Sequence, residues 1–391
     1  MTKKLYDLDA YEVEFDAEVI SCETVEEKER TVYHVLLDQT LFFPEEGGQS
    51  PDKGILGDCN VLDVQIKDDI IIHTVDAPME VGAFVHGRID WKHRFNNMQQ
   101  HSGEHIFSGT VHRKFGYDNV GFHLSDNIVT MDFNGVITEQ EAAEIEYEVN
   151  EIITKNIPVQ VTFPSKEELA HMEYRSKIEI EGQVRIVTIP DVDVCACCAP
   201  HVKQTGEIGM LKIMSLQSHR GGVRISILCG FRALEAFREK DKIVTTLSNA
   251  FSTNQEKLPE LIEKMQKSNQ DLKYQLAEAK QKLMALKMSE IPDAQEDVIF
   301  FESGLDTPVM RNVVNELVAA HKGICGIFVG TEEEGYNFII GSSTRDCSKI
   351  AAILREKTGA RGGGSPQMIQ GSIKAHESDI REILQGKLIY D

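Results

Sequence analysis

The sequence predicts an α+β protein that begins with a small antiparallel β-barrel and continues into a helical hairpin arm and a small α/β C-terminal domain. Three observations support this prediction. Short runs between residues 12 and 75 alternate apolar and polar side chains, as half-buried strands do. Residues 91–115 and 231–290 have helical periodicity. From residue 292 onward, short apolar runs alternate with helical segments.

A chain of 391 residues is too long for a single ordinary core. We expect four units along the chain. A β-barrel subdomain covers 1–90, an α+β domain covers 91–230, a coiled-coil-like helical arm covers 231–290, and an α/β domain covers 291–391.

The composition, with 41% hydrophobic and 27% charged residues, is that of a globular protein. Lys3 and Lys4 precede a polar segment rather than an apolar signal, and no run approaches the ~18 apolar residues of a membrane span. We therefore expect a cytoplasmic protein. Eight cysteines, three of them within residues 195–198, indicate a metal or thiolate cluster rather than a disulfide framework.

The formal net charge of −22 excludes a large non-specific nucleic-acid surface, because phosphate binding depends on lysine and arginine. Local basic patches stay possible. Residues 88–94 and 112–114 are less acidic than the average, although charge alone favours a solvated helix face there.

Two histidines lie one helical turn apart in QQHSGEH, residues 99–105. His101 and His105 share a helix face, and two neutral imidazoles supply half of a zinc site. The stretch CACCAPH, residues 195–201, offers thiolates and a further histidine. Sulfur and nitrogen ligands together select zinc over magnesium or calcium. Either stretch alone is equally well explained as core or surface, but the two together favour a metal site.

Two glycine-rich stretches read as loops, residues 37–54 and residues 359–372. The first has a glycine pair beside polar side chains, and the second has a triple glycine that follows an arginine. In the second stretch, backbone amides can approach a phosphate or a ribose closely. Taken alone, the first stretch is better explained as an ordinary hairpin connection and the second as a flexible loop.

The arm contains two helical segments separated by a break at residues 252–254. The second segment repeats with a spacing of seven at Ile262, Asn269, Leu276 and Leu283, and again three residues later at Met265, Leu272, Ala279 and Leu286. This pattern predicts an antiparallel hairpin or a dimeric coiled coil, with the lone asparagine setting the register.

Five motifs resemble, in order and spacing, the editing domain of alanyl-tRNA synthetases and the free-standing AlaX trans-editing proteins. They are LDQTLFFPEEGGQSPDKG (37–54), QQHSGEH (99–105), CCAPHV (197–202), TGEIGMLKI (205–213) and GGVRISILCG (221–230). The arm and the GGGSPQMIQGS stretch resemble the DHHA1 domain of the long AlaX form. The resemblance covers nearly the whole chain. It implies a hydrolase of translation fidelity that deacylates mischarged alanine tRNA, Ser- or Gly-tRNA(Ala). No synthetase core precedes the editing domain, so we expect action in trans.

The resemblance also implies a zinc ion bound by His101, His105, Cys197 and His201. Two departures from the common pattern stand out. Many relatives have a small or hydroxyl residue where this chain has Glu104, and their Cys-Gly-Gly-Thr-His is replaced by CCAPH. Cys195 and Cys198 are therefore additional thiols that could compete as ligands.

The resemblance places substrate recognition on the first glycine loop, at Thr40, Gly47, Gly48 and Gln49. With four protein ligands the metal has less room for a water, so Glu104 becomes the expected general base.

In the C-terminal half we expect tRNA binding by Arg361 and the backbone of Gly362, Gly363 and Gly364, where a guanidinium and bare amides can face an anion. An apolar seam along the arm further predicts a homodimer through this half.

Two other functions fit parts of the sequence. HSGEH matches the H-x-x-E-H motif of inverzincin metallopeptidases, in which Glu104 would be the base and Glu179 or Glu181 the third ligand. That interpretation leaves CCAPH and both glycine stretches unexplained. A non-catalytic tRNA-binding or dimerisation protein with a structural zinc explains the C-terminal half, but gives Glu104 and Thr40 no role.

Overall fold

The computed structural model describes residues 2–27, 30–176 and 183–385. The chain divides into two compact units, Met1–Ala250 and Phe251–Asp391. The four domain ranges expected from the sequence remain predictions. In the described part of the chain, no helix has both the length and the apolar character required to cross a membrane.

Within the described residues up to 89, the first unit begins with eight strands: β1 (Lys3–Lys4), β2 (Glu14–Glu26), β3 (Thr31–Leu37), β4 (Gln39–Thr40), β5 (Gly54–Leu56), β6 (Cys59–Lys67), β7 (Ile70–Val75) and β8 (Phe84–Ile89). Six of these described strands form a closed antiparallel barrel in the order β2-β3-β7-β6-β5-β8, which confirms the predicted barrel. Along β2, Phe15, Ala17 and Val19 are buried and alternate with more exposed residues, as the two-residue period of a strand requires.

The second layer of this unit is built around helix α1 (Trp91–Phe115), which occupies the residues predicted to be helical. The Asp90 side chain accepts a hydrogen bond from the His93 amide at the N-terminus, and Gly116 ends the helix with a φ of 69°. Every residue from Asn97 to Val111 is buried. This middle stretch of the helix is therefore surrounded by the core on all sides, although many of its residues are polar.

Two antiparallel sheets accompany α1, one ordered β14-β15-β10-β9 and one ordered β11-β12-β13. A stripe of apolar residues on α2, including Ile145, Val149 and Ile152, is buried in the same core as α1. The elements are β9 (Asn119–Leu124), β10 (Val129–Phe133), α2 (Glu139–Thr154), β11 (Gln160–Thr162), α3 (Lys166–Leu169), β12 (Ile186–Ile189), β13 (Asp193–Ala196), β14 (Leu211–His219), β15 (Gly222–Cys229) and α4 (Gly230–Ala250).

A buried ion pair joins α1 to the barrel. The Arg94 guanidinium is fully buried, donates to both carboxylate oxygens of Asp52, and also donates to the carbonyls of Ala10 and Leu41. Asp52 in turn accepts a hydrogen bond from the Phe43 amide at 2.7 Å. The pair therefore ties together three separate segments of chain.

The second unit contains a five-stranded mixed sheet ordered β16-β17-β18-β20-β19, in which only the β16–β17 pair is parallel. The small α/β domain predicted from the sequence is thus observed as a mixed sheet with helices. Its elements are α5 (Leu258–Ser289), β16 (Val298–Glu302), α6 (Thr307–Ala320), β17 (Cys325–Thr331), β18 (Gly335–Gly341), α7 (Cys347–Thr358), β19 (Arg361–Gly364), β20 (Met368–Ile373) and α8 (Glu377–Gln385).

The second glycine-rich stretch differs from the expectation of a loop, because most of it forms the paired strands β19 and β20. Gly362 approaches its partner so closely that a Cβ there would lie 2.2 Å from the Gln370 carbonyl oxygen. The glycines therefore permit close strand pairing at this position.

Helix α5 exposes many of its heptad side chains, including Leu272, Leu276, Leu283 and Leu286. The helix is one continuous element of 32 residues, as the heptads predict. Whether it pairs as a hairpin or as a dimer stays a prediction.

The first testable expectation concerns the Arg94–Asp52 pair. Asp52→Asn leaves a buried guanidinium without its counter-charge, and should lower the free energy of unfolding by about 3–5 kcal/mol. Trp91, the single tryptophan, lies at the start of α1 and reports unfolding of this unit by fluorescence in a urea titration. The matched control is Lys53→Ala, which breaks a half-exposed pair with Asp126 and should cost no more than about 1 kcal/mol. Equal losses in the two variants would contradict a linking role for the buried pair.

Candidate functional site

Four side chains converge between α1 and the segment that follows β13. The donor atoms of His101, His105, Cys197 and His201 all lie within 4.8 Å of one another. The Cys197 Sγ lies 3.5 Å from His101 Nε2 and 3.3 Å from His201 Nε2. A thiolate and an imidazole nitrogen on one tetrahedral zinc ion would be about 3.5 Å apart. The spacing and chemistry of this donor set therefore fit a bound metal ion.

The other ring nitrogen of each histidine contacts a polar side chain from elsewhere in the fold. His101 Nδ1 lies 2.8 Å from Gln49 Oε1, His105 Nδ1 lies 2.9 Å from Asp193 Oδ2, and His201 Nδ1 lies 3.0 Å from Ser102 Oγ. Such contacts fix the ring orientation and turn Nε2 of each ring toward the cluster. The three rings are therefore held in place by the protein itself.

The protonation states of Cys197 and His201 are those of metal ligands. Burial opposes ionisation of the Cys197 thiol, but the charges of His101 and His201, with hydrogen bonds from His101 and His105, lower its pKa well below the ordinary value. Burial lowers the pKa of His201 to about 3, because the imidazolium form is poorly solvated there. A thiolate and a neutral imidazole result, which are the forms that bind zinc. Burial lowers the pKa of His105, but its interactions with Cys195, Asp193 and Cys197 raise that pKa well above the ordinary value, so His105 gives up a proton when it binds a metal.

Asp193 supports His105 and is itself held in place. Arg175 donates to both of its carboxylate oxygens, at 2.7 and 2.9 Å. Burial alone would raise the pKa of Asp193, but the hydrogen bonds and charges of His105 and Arg175 lower it. The carboxylate of Asp193 therefore stays ionised and keeps its hydrogen bond with the His105 imidazole.

The two additional thiols have different environments from Cys197. Burial raises the pKa of Cys195 to about 11, and burial together with the charges of Cys197 and Glu46 raises the pKa of Cys198. Both thiols therefore stay protonated at neutral pH. Cys195 does group with His105 and Asp193 as a second set of close donors, but that carboxylate is already engaged by Arg175.

Glu104 lies in the same buried region as the cluster, with 1% of its surface exposed. Its Oε1 accepts hydrogen bonds from Ser108 Oγ at 2.7 Å and Asn119 Nδ2 at 2.6 Å. Its Oε2 lies 3.9 Å from His105 Nε2. The carboxylate is thus fixed beside the histidines.

The first glycine loop contributes a tight turn next to the cluster. Gly47 and Gly48 have φ values of 62° and 81°, and backbone hydrogen bonds join Glu46 and Gln49 in both directions across them. A Cβ at Gly47 would lie 3.2 Å from Cys198 Sγ, and Gln49 contacts His101 directly. The structure therefore brings Gly47, Gly48 and Gln49 together with the histidines.

Thr40, from the same predicted group, lies inside the barrel. Its hydroxyl is 2.9 Å from His73 Nε2 and accepts a hydrogen bond from the Phe42 amide. Burial lowers the pKa of His73 to about 4, so this contact involves a neutral ring. The hydroxyl of Thr40 is thus already engaged within the core.

Sequence reasoning missed several residues of this site: Ser102, Ser108, Asn119, Arg175 and Asp193. Ser108 follows Glu104 by four residues on α1, which is a usable local signal. The others act across long sequence distances, and nothing near them in the chain indicates their partners.

A cleft of about 890 Å³ adjoins the site. Its lining includes Asn119, Asp193 and Cys195, the arginines Arg113 and Arg175, and the further carboxylates Asp118, Glu173 and Asp191. This volume is within the range of pockets that hold a small molecule or a nucleotide.

The remaining predicted residues lie elsewhere. Arg361, Gly362, Gly363 and Gly364 form β19 in the second unit, where all four are exposed. The third ligands of the metallopeptidase interpretation, Glu179 and Glu181, lie outside the described residues.

The fold and the cluster define a candidate metalloprotein. Part of its β-barrel and part of its α+β layer are similar in sequence to domains of tRNA synthetases. The family described as "Threonyl and Alanyl tRNA synthetase second additional domain" matches residues 184–225, and "tRNA synthetases class II (A)" matches residues 5–93.

Comparison with individual proteins narrows this class. The chain is 32% identical over 250 residues to alanyl-tRNA editing protein AlaX-L of Pyrococcus horikoshii, covering 61% of each chain. It is 27% identical to alanyl-tRNA editing protein Aarsd1 of Danio rerio, covering 93% of this chain and 92% of the relative. Its similarity to an alanine–tRNA ligase of Ignicoccus hospitalis, at 29% identity, covers 93% of this chain but 40% of the ligase. These similarities relate the chain to the AlaX- and Aarsd1-type alanyl-tRNA editing proteins.

We expect one metal ion per chain, lost when two ligands are removed. A His101→Ala, Cys197→Ala double variant should retain no metal above background in elemental analysis after gel filtration, because two ligands cannot complete a closed tetrahedral site. Cys195→Ala and Cys198→Ala are the matched controls and should keep a full equivalent. Full metal content in the double variant, or loss in either control, would assign the thiolate ligand to a different cysteine.

Proposed function

We propose that the chain is a trans-acting, zinc-dependent deacylase that hydrolyses the ester joining serine or glycine to the 3′ end of alanine tRNA. One observation carries the proposal: a buried carboxylate, Glu104, lies 3.9 Å from a histidine of the cluster. The similarity to proteins named alanyl-tRNA editing proteins supplies the substrate class.

Zinc is the metal that the donors favour. Three imidazoles and one thiolate combine borderline and soft ligands, which suit zinc and do not suit magnesium or calcium. When bound, zinc supplies positive charge that can orient and polarise the ester.

Glu104 has the position expected of a general base. Ser108 and Asn119 hold Oε1, which fixes the carboxylate plane, and Oε2 faces His105. In the proposed reaction Glu104 accepts a proton from the water that attacks the ester carbon. The alkoxide of the terminal ribose leaves and takes up a proton, which releases the free amino acid and the free tRNA.

The turn and the cleft account for substrate binding. Gln49 links the turn to His101, so an amino acid held by the turn would lie against the cluster. The adjoining cleft is large enough for a nucleotide at the end of a nucleic acid, and its arginines, Arg113 and Arg175, are already paired with Glu148 and Asp193. The hydroxyl of Thr40 is already hydrogen-bonded inside the barrel, so Thr40 contributes to the site by supporting the barrel core and not by contacting the substrate.

Glu104→Gln tests the chemistry. The amide keeps the size and can still contact Ser108, but it cannot accept the proton, so deacylation of seryl-tRNA(Ala) should fall by roughly 10² to 10⁴ while metal content stays unchanged. The measurement is single-turnover release of labelled serine, with glycyl- and alanyl-charged tRNA measured in parallel.

Three results would count against this assignment. Full activity in the variant would remove Glu104 from the chemistry. A wild-type chain that hydrolyses no charged tRNA but binds it would favour the non-catalytic protein with a structural zinc. Peptide cleavage that disappears in the same variant would favour the metallopeptidase.

The C-terminal half is proposed to bind tRNA and to join two copies of the chain. Arg361 and the backbone of Gly362, Gly363 and Gly364 are exposed on β19, where a guanidinium and backbone amides can contact phosphates. The exposed leucines of α5 are an apolar seam that a second copy of the same helix would bury in a homodimer.

Arg361→Ala should weaken tRNA binding and lower the slope of log affinity against log salt by about 1, because one phosphate contact is lost. Filter binding with uncharged alanine tRNA at several salt concentrations measures both quantities. Arg381→Ala is the control, since that guanidinium is already paired with Glu377. If Arg361→Ala leaves affinity and slope unchanged, β19 does not bind the tRNA backbone.

A further inference from the structure

Two buried polar atoms flank the Gly47-Gly48 turn without a partner. Among residues 2–27, 30–176 and 183–385, none forms a hydrogen bond with Glu46 Oε2 or with Gln49 Nε2. Gln49 is fully buried. Folded proteins rarely leave a buried donor or acceptor unpaired, because each such group loses its hydration without compensation. Both atoms therefore indicate a ligand.

The two side chains lie on the same face of the turn. Glu46 and Gln49 form an antiparallel bridge, and residues directly opposite each other across such a bridge project to one side, with Cβ atoms about 5 Å apart. Gln49 Oε1 contacts His101, so this face is the one turned toward the cluster.

Contacts of Glu46 also place its side chain close to the cluster. The carboxylate accepts a hydrogen bond from the protonated thiol of Cys198, the residue after the ligand Cys197, and its charge also acts on Tyr6 and Asp7. A carboxylate has about four acceptor sites, so this bond leaves room for a further donor at Oε2. Glu46 therefore adds negative charge between the N-terminal segment and the cysteine loop.

The chemistry of the two atoms is specific. A carboxylate oxygen accepts hydrogen bonds and prefers a cation, whereas an amide Nε2 donates to an oxygen. An α-aminoacyl ester carries an ammonium group and a carbonyl oxygen on adjacent carbon atoms. The pair of unpartnered atoms is thus complementary to the amino-acid end of such an ester.

We propose that Glu46 binds the α-ammonium group of the aminoacyl ester and that Gln49 Nε2 donates a hydrogen bond to its carbonyl oxygen. This inference rests on the proposed deacylase function and adds a requirement to it. The substrate must carry a free, charged amino group, so esters of N-blocked amino acids are rejected whatever their side chain.

The test compares two substrates and three proteins. Single-turnover rates are measured with seryl-tRNA(Ala) and N-acetylseryl-tRNA(Ala), for the wild type, Glu46→Gln and Glu45→Gln, each as full-length, metal-loaded protein. Glu45 is the matched control, because this neighbouring glutamate is exposed and accepts a hydrogen bond from Gln65 at 2.8 Å.

The wild type and Glu45→Gln should prefer the free amine by roughly 10- to 100-fold, as expected for a hydrogen bond to a charged group. Glu46→Gln should lose that preference through a slower reaction with seryl-tRNA(Ala), and its rate with the acetylated substrate should match that of the wild type.

Equal losses on both substrates would assign Glu46 a positioning role and overturn the inference, as would unchanged rates on both. If Glu46→Gln fails to fold, judged by metal content and thermal denaturation, Glu46→Asp takes its place. That variant keeps the charge on a shorter side chain, so it should lower the preference for the free amine while its rate with the acetylated substrate stays that of the wild type. An equal loss on both substrates would overturn the inference. A wild type that hydrolyses neither substrate overturns the proposed function itself. An active wild type whose rates are unchanged by Glu46→Gln overturns this inference alone.

Discussion

The first unit depends on one constraint, that the polar side chains along the buried stretch of α1, residues 97–111, need partners inside the protein. Gln100 on α1 illustrates it, since its amide donates to the Cys229 carbonyl and accepts from the Cys229 amide, at 2.8 and 2.7 Å. Arg94 meets the same demand through Asp52, and His105 through Asp193. Each pairing fixes the register of a distant segment against α1. The convergence of the candidate ligands is a product of the same pairings, because Asp193 begins the strand that leads into the cysteine loop.

Local sequence signals were sufficient wherever one segment determines its own structure. The barrel strands follow from alternation, α1 follows from its periodicity between Asp90 and Gly116, and the pairing of His101 with His105 follows from the helical repeat. The spacing of residues 195–201 likewise indicated thiolate and imidazole donors close together. These inferences need no knowledge of what the segments contact.

Sequence patterns did not predict the structure or role of a residue where these depend on a contact with a segment far away in the chain. Glycine composition suggested a loop at residues 361–364, but pairing with β20 makes it a strand, and the pairing partner cannot be identified from composition. Asn119 and Asp193 look like ordinary polar residues until the fold brings them to Glu104 and His105. Glu46 carried no signal either, because its significance arises from an oxygen that the fold buries without pairing it.

The position of β19 at the end of its sheet also affects how the second unit behaves in concentrated solution. In the described residues this strand has a neighbour on one side only, so its outer backbone groups could template the addition of a foreign strand. Three consecutive glycines lower the propensity to extend a sheet, and they present no apolar side chains for a new strand to pack against. The same glycines that allow close pairing with β20 therefore also make the addition of a foreign strand, and so fibre-like aggregation, less favourable.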